Sequence, residues 1–234
     1  MSTRGELSIE ASLYHRVLHP QDEPPGQPPA LLMLHGRGSN EMDLLELAGA
    51  LDGRFLTLSP RAPYALGGGF HWYALSQAGA PDPHTFEEGL GTLRRFVAEA
   101  VEGYGIDPAR LYVLGFSQGA VMTGALALTA PPLVAGAVLL SGYLPLRSGL
   151  PIEKRMLAGR PYFVAHGTQD PVIPVTFGRE TRAYLERVGA DLTYREYSMA
   201  HHLDYTELQA IGSWLTECLD RPAPSAESGG GAED

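Results

Sequence analysis

Apolar residues follow two rhythms along this chain. Four short runs are apolar almost without interruption: positions 30–34 (Ala-Leu-Leu-Met-Leu), 111–114 (Leu-Tyr-Val-Leu), 135–140 (Ala-Gly-Ala-Val-Leu-Leu) and 162–165 (Tyr-Phe-Val-Ala). A strand with one wet face alternates, whereas one covered on both faces does not, so these runs predict the central strands of a mostly parallel sheet. Positions 7–18 do alternate, with Leu7, Ile9, Ala11 and Leu13 apolar, and predict one or two strands at an edge or in an antiparallel pair. Shorter strands are expected at 55–58, closed by Pro60, and at 192–197.

Between the strands the period lengthens to that of a helix. Phe86, Leu90, Leu93, Val97, Val101 and Tyr104 follow spacings of four and three, behind Thr85 and Glu88 as a capping-box pair. Leu44, Leu47, Ala48 and Leu51 form one helical face, with Asn40 as the expected N-cap and Asp43 in the first turn. Further helices are expected at 120–130, rich in small residues, and at 175–188, stopped by Gly189. The last helix opens on Asp204 and Glu207, a second capping-box-like pair, and buries Leu208, Ile211, Leu215 and Cys218. Positions 20–29 read as a surface loop. Positions 61–83 read as a long irregular stretch carrying Gly67 to Gly69 and the aromatics Phe70, Trp72 and Tyr73. Those aromatics either line a pocket or pack the loop down. Strands alternating with helices give an α/β fold with right-handed crossovers, in a single domain over 1–220. Positions 221–234, rich in Pro, Ala, Ser, Gly and acid, read as a disordered tail.

Composition narrows the picture in three places. The 234 residues include 17 basic and 27 acidic side chains, a formal net charge of −10. That balance argues against nucleic acid or an anionic membrane as partner, since both require a basic footprint. Cys218 is the only cysteine, so no internal disulfide can form, and its place on an apolar stripe reads as a core thiol. The first residues lack the apolar run of a signal peptide, and no stretch approaches about 18 apolar residues, so a cytoplasmic location without membrane insertion is the expectation.

The chemistry is concentrated where the 111–114 run enters Gly115-Phe116-Ser117-Gln118-Gly119 and a small-residue helix follows. This is a nucleophile elbow in the strand-to-helix context that the motif requires. A serine hydroxyl is a weak nucleophile and must stand clear of the backbone, where a base can reach it. The sharp turn that lifts it brings backbone very close, which leaves no room for a Cβ at Gly115 or Gly119. In such a sheet the ligand lies beyond the carboxyl ends of the strands, where Asp170 follows the fourth apolar run and His201 and His202 follow the last strand. The order serine, aspartate, histidine is that of a triad built on an elbow. Histidine supplies a base near neutrality and the carboxylate fixes its tautomer. Adjacent side chains point different ways, so only one of His201 and His202 can serve. The oxyanion of a tetrahedral intermediate needs backbone donors, expected from the N–H of Gln118 and of Arg37 in His35-Gly36-Arg37-Gly38. The Arg37 side chain reads either as an anion clamp or as a solvated surface group. Two adjacent histidines near Asp204 are too sparse for a metal set, and the chemistry calls for no metal and no cofactor. His15, His19 and His84 read as surface residues.

With these residues in hand, the chain resembles the α/β-hydrolases of the phospholipase/carboxylesterase family, which includes bacterial carboxylesterases and acyl-protein thioesterases. The resemblance runs from about position 30 to 219. It is carried by His35-Gly36-Arg37-Gly38, Arg61-Ala62-Pro63, Trp72-Tyr73, the elbow, Ser141-Gly142-Tyr143-Leu144-Pro145, Gly167-Thr168-Gln169-Asp170 and Met199-Ala200-His201. It implies an α/β-hydrolase fold with helices on both faces of the sheet, and it selects His201, because the family carries Met-Gly-His where this chain has Met199-Ala200-His201. It further implies that Trp72, Tyr143, Leu144 and Val172 wall the acyl pocket. The segment between Gly142 and Pro161 is too short for a large lid. The expectation is a serine carboxylesterase acting through an acyl-enzyme on small-to-medium esters or thioesters, as a monomer or homodimer. The alternatives are a silent binding protein of the same fold, or acyl-protein thioesterase or lysophospholipase activity.

Overall fold

A computed structural model of the chain describes residues 9–21, 24–77 and 80–221. The expected tail from 222 onward and the start of the alternating stretch, Leu7 included, lie outside the described residues. Seven strands form the main sheet: β1 (His15–Leu18), β2 (Ala30–Leu34), β3 (Leu56–Pro60), β8 (Leu111–Phe116), β9 (Gly136–Leu140), β10 (Pro161–Gly167) and β11 (Asp191–Tyr197). Their order is β1-β3-β2-β8-β9-β10-β11. β1 runs antiparallel to β3, and the other pairings in this sheet are parallel. Among the described residues the α-helices are α1 (Pro83–Tyr104), α2 (Gln118–Thr129), α3 (Val175–Arg187) and α4 (Tyr205–Asp220).

The uninterrupted apolar runs are explained by which face each residue serves. Side chains alternate across a strand. Leu32 and Leu34 of β2, Val113 of β8 and Leu139 of β9 join the cluster that packs under α1, α2 and α3. Leu31, Met33, Leu114 and Val138 join the opposite cluster, with Ile211, Trp214, Leu215 and Cys218 of α4. Each fully buried leucine here contributes about 1.5–3 kcal/mol relative to exposure. α2 is buried from Gln118 to Leu128, and its small residues let it lie close to the sheet. A Cβ on Gly124 would come within 2.9 Å of the Leu144 side chain. Burial pushes the Cys218 thiol up to about 11, as suits a core residue rather than a nucleophile.

Several local expectations are corrected. The N-terminal strand is shorter than the alternation suggests, only His15–Leu18, because Ser12 and Leu13 bend before it. His15 is buried, between the Leu13 carbonyl at 3.0 Å and the Tyr104 hydroxyl at 2.6 Å; His19 and His84 are exposed. The face at Leu44 is carried by a 3-10 helix, Leu44–Ala50, and Asn40 caps only a turn, its Oδ1 accepting from the N–H of Met42. α1 begins two residues before Thr85: Pro83 fills its first position and the Asp82 carboxylate accepts from the Thr85 N–H at 2.9 Å. Asp204 caps α4 through the Glu207 N–H at 2.7 Å, but the Glu207 carboxyl does not bond back, so only half of that box is made.

The stretch 61–83 is also more regular than its composition suggests. It holds two hairpins, β4 (Tyr64–Leu66) with β5 (Gly69–His71), and β6 (Leu75–Gln77) with β7 (Ala80–Pro81). Residues 141–160 contain one short 3-10 helix, Lys154–Met156, and no large lid. Among the described residues no helix is long and apolar enough to cross a membrane.

Candidate active site

The elbow has the geometry its glycines imply. Ser117 sits at φ 54°, ψ −116°, a region that costs a non-glycine residue roughly 1–3 kcal/mol. The cost is borne by the surroundings. The Ser117 N–H donates to the Leu140 carbonyl at 2.9 Å, and its own carbonyl accepts from Ala120 and Val121 as α2 begins. A Cβ on Gly115 would lie 2.3 Å from the Gly119 carbonyl oxygen, and one on Gly119 would lie 2.0 Å from that of Leu34. Ser141 is the other described non-glycine residue with positive φ, at 47°, and it lies at the neighbouring strand end beside Ser117.

Three strand ends then bring three side chains together. His201 Nε2 lies 2.8 Å from Ser117 Oγ, and His201 Nδ1 lies 2.6 Å from Asp170 Oδ2. A carboxylate can only accept, so Nδ1 carries the proton and Nε2 is left free to accept from the serine hydroxyl. Asp170 is fixed by its other oxygen, which accepts from the Val172 and Ile173 N–H groups at 2.8 and 2.9 Å. The His201 ring packs 4.9 Å from that of Phe116. His202 is exposed, and no contact to Ser117 or Asp170 involves it.

A buried histidine, His166, supports the acid. His166 donates from Nε2 to the Ile173 carbonyl at 2.7 Å and so anchors the loop whose amides hold Asp170. Desolvation lowers its pKa, so it is neutral, and its 3.6 Å approach to Asp170 is not an ion pair.

The loop from His35 to Ser39 faces the elbow from the other side. A Cβ on Gly36 would meet the Phe116 ring at 3.3 Å and Ser117 Cβ at 3.7 Å. His35 is wholly buried. Its Nε2 accepts from the Ala62 N–H at 3.1 Å, so its Nδ1 carries the proton and donates to the Gly36 carbonyl at 2.7 Å. Burial lowers its pKa and keeps it neutral. The Ser39 N–H closes a turn onto the Gly36 carbonyl, with Gly38 at φ 83°. The hairpin β4–β5 clasps this turn: Gly38 N–H donates to the Phe70 carbonyl at 2.7 Å and Phe70 N–H to the Ser39 carbonyl at 2.8 Å. The N–H of Arg37 and that of Gln118, first residue of α2, have no described backbone acceptor. Two free donors on either side of a presented serine can receive an oxyanion.

The expected pocket residues separate. Trp72 is wholly buried, its indole N–H donating to the His35 carbonyl at 2.9 Å, and it packs beneath the loop. Leu144 belongs to the core. Val172 is 63% exposed, and Tyr143 is half-buried with its ring 5.1 Å from Phe177 and its hydroxyl bonded to that of Tyr73. The roles of the Gln118, His35 and His166 side chains are not legible in the sequence. Gln118 stands out there only for its N–H, and His35 only for its place in the loop. For His166, a position at the end of a buried strand is the one available signal.

A family profile described as phospholipase/carboxylesterase matches residues 15–219. Acyl-protein thioesterase 1 of Kluyveromyces lactis is 30% identical over 157 residues, spanning 63% of this chain and 68% of that protein. Acyl-protein thioesterase 1 of Debaryomyces hansenii is 27% identical over 173 residues, 70% of this chain and 75% of that one. Among solved structures, the Bacillus cereus carboxylesterase superposes with a TM-score of 0.78 at 27% identity, covering 88% of this chain and 94% of its own.

Proposed function

The chain belongs to the phospholipase/carboxylesterase family, and from that premise we propose that it is a serine hydrolase cleaving small-to-medium acyl esters or thioesters through an acyl-enzyme. The observation that carries this reading is the unbroken relay from Ser117 Oγ through both nitrogens of His201 to Asp170, at 2.8 and 2.6 Å. In the forward half, Ser117 attacks the acyl carbonyl as His201 Nε2 takes its proton. The imidazolium is held by Asp170, whose other oxygen already accepts from the Val172 and Ile173 N–H groups. The oxyanion that forms is received by the N–H groups of Arg37 and Gln118. Each such donor supports roughly 10²–10³ in rate. His201 then protonates the leaving alcohol or thiol. Water repeats the sequence on the acyl-serine, releasing the acid and free Ser117. The steps use no cofactor.

The short 141–160 segment favours an open site and dissolved substrates over lipid aggregates. A silent binding protein of this fold would not need the serine and imidazole in contact, nor the strained backbone that holds Ser117 there.

The test is a panel of p-nitrophenyl esters of rising chain length on wild type, Ser117→Ala, His201→Ala and His202→Ala. Wild type and His202→Ala should turn over, and the other two should lose at least about 10³ in kcat. A dead His202→Ala with a live His201→Ala would reverse the assignment of the base. A sharp rise in rate above the micellar threshold would count against the open-site reading.

A further inference from the structure

Many arginines on this acidic chain find a carboxylate. Arg54 bonds Asp52 and Asp220, Arg61 bonds Glu41, Arg110 bonds Asp107 and Arg179 bonds Glu196. With 27 acidic residues against 17 basic ones, that is the expected outcome for a surface guanidinium. Arg37 departs from it. Its side chain is exposed, and no carboxylate, carbonyl or ring among the described residues engages it. Arg155 and Arg195 are likewise unengaged, but Arg37 is the one that directly follows a residue packed on the nucleophile.

That placement is held rigidly. Arg37 is the second residue of the turn closed from Ser39 N–H to the Gly36 carbonyl, and the hairpin bonds to Phe70 fix the turn from outside. Gly36 in turn lies against Ser117, its absent Cβ only 3.7 Å from Ser117 Cβ. An arginine side chain extends about 6–7 Å from its Cα, so the guanidinium can reach groups a few bonds from the scissile carbonyl. Its base is preorganised and its head is free. A guanidinium meets a carboxylate with two parallel N–H donors, which a neutral ester chain cannot exploit. The net charge of −10 repels anions on the whole, so an unpaired cation beside the nucleophile favours an anionic substrate there.

We infer that the Arg37 side chain is a specificity determinant selecting esters or thioesters that carry a carboxylate close to the scissile carbonyl. The inference rests on the serine-hydrolase reading above and adds the charge of the substrate to it. The carboxylate can belong to the acyl part or to the alcohol part, and the experiment separates the two.

Wild type, Arg37→Gln and Arg37→Lys are compared on two matched pairs. Mono-p-nitrophenyl glutarate and its methyl ester place the charge on the acyl side. Butyryl 4-hydroxybenzoate and its methyl ester place it on the alcohol side. The readout is the ratio of kcat/KM for the anionic to the neutral member within each enzyme, which cancels any general loss from disturbing the oxyanion loop. For at least one pair, wild type should favour the anion by roughly 5–10-fold, as expected for a charge-assisted contact in partial solvent. The preference should fall on raising ionic strength, should vanish in Arg37→Gln and should survive in part in Arg37→Lys. A wild-type ratio at or below one for both pairs, or an unchanged ratio in Arg37→Gln, would overturn the inference. The neutral esters keep the two readings apart. If they are hydrolysed and Ser117→Ala is dead, the hydrolase reading stands whatever the charge ratio shows; if no ester is turned over, both fall.

Discussion

Gln118 grips the backbone of Trp72 with one end of its amide and that of Tyr73 with the other. Its Oε1 accepts from the Trp72 N–H at 2.8 Å, and its Nε2 donates to the Tyr73 carbonyl at 2.8 Å. All of these groups are buried, and the Trp72 indole in turn holds the His35 carbonyl. One side chain therefore ties the elbow to the segment that supports the facing loop. Gln118→Ala leaves a donor and an acceptor stranded in the core, at about 1–3 kcal/mol each. The expected result is a Tm lower by about 5–20 °C for a domain of this size. The Gln118 N–H survives the substitution, so kcat on a short-chain ester should fall far less than in His201→Ala. An unchanged Tm by calorimetry would show that the clamp is incidental.

Asp170→Asn makes a prediction of opposite character, in which folding is spared and chemistry is lost. The asparagine oxygen can still accept from Val172 and Ile173, as Asp170 Oδ1 does now. Its amide nitrogen would then face the N–H of His201, which flips the imidazole tautomer and turns a protonated Nε2 toward Ser117. We expect kcat to fall by about 10⁴ with Tm nearly unchanged. Loss of stability as large as that from Gln118→Ala would mean that the acid mainly holds the loop.

Gly119 of the elbow and Gly38 of the facing loop are glycine for different reasons. At Gly119 an added Cβ meets the carbonyl oxygens of Leu34 at 2.0 Å and His35 at 2.7 Å, which are backbone and cannot yield. At Gly38 nothing lies within 4 Å, and only the positive φ of 83° resists a side chain. Gly38→Ala should cost about 1–2 kcal/mol in denaturant melts. Gly119→Ala should exceed about 4 kcal/mol or yield no folded protein. Equal costs at the two positions would contradict the close approach of α2 to β2.

What can be read from the chain alone divides by the range of the interaction. β2, β8, β9 and β10 declare themselves because a strand covered on both faces must be apolar at consecutive positions. The elbow is legible for a similar reason, since its strain and its close contacts are local and demand particular residues. His15 reads wrongly as a surface residue because its partner, the Tyr104 hydroxyl, is 89 residues away. The hairpins at 61–83 escape detection because their strands are three residues or fewer, too short for a period, and are held by the distant Gly38, Ser39 and Gln118. Thr85 and Glu88 match a capping box in spacing, yet Asp82 followed by Pro83 is the stronger start, and two valid signals three residues apart cannot be ranked by pattern.

Glu207 yields a pH-dependent prediction. Its carboxyl is wholly buried in the first turn of α4, and neither oxygen has a described hydrogen-bond partner. The groups that influence it are the Asp204 carboxylate and the Tyr197 hydroxyl, neither of them cationic. Desolvation first, and then the charge of Asp204, push its pKa up to about 8 from 4.5. Between those two values the folded protein keeps a proton that the unfolded chain has released. The unfolded state therefore binds fewer protons, and stability must decline as pH rises through this window. The slope is about 1.36 kcal/mol for each pH step of one inside the window, so the decline amounts to a few kcal/mol at most. Glu207→Gln has nearly the same shape and no proton to lose, so its stability should be flat where the wild type declines. Urea melts of the two at pH 5 and pH 8 should differ little at the lower pH, with the variant the more stable by about 2 kcal/mol or more at the higher. A gap that does not widen between the two pH values would mean that Glu207 is solvated or paired with a cation.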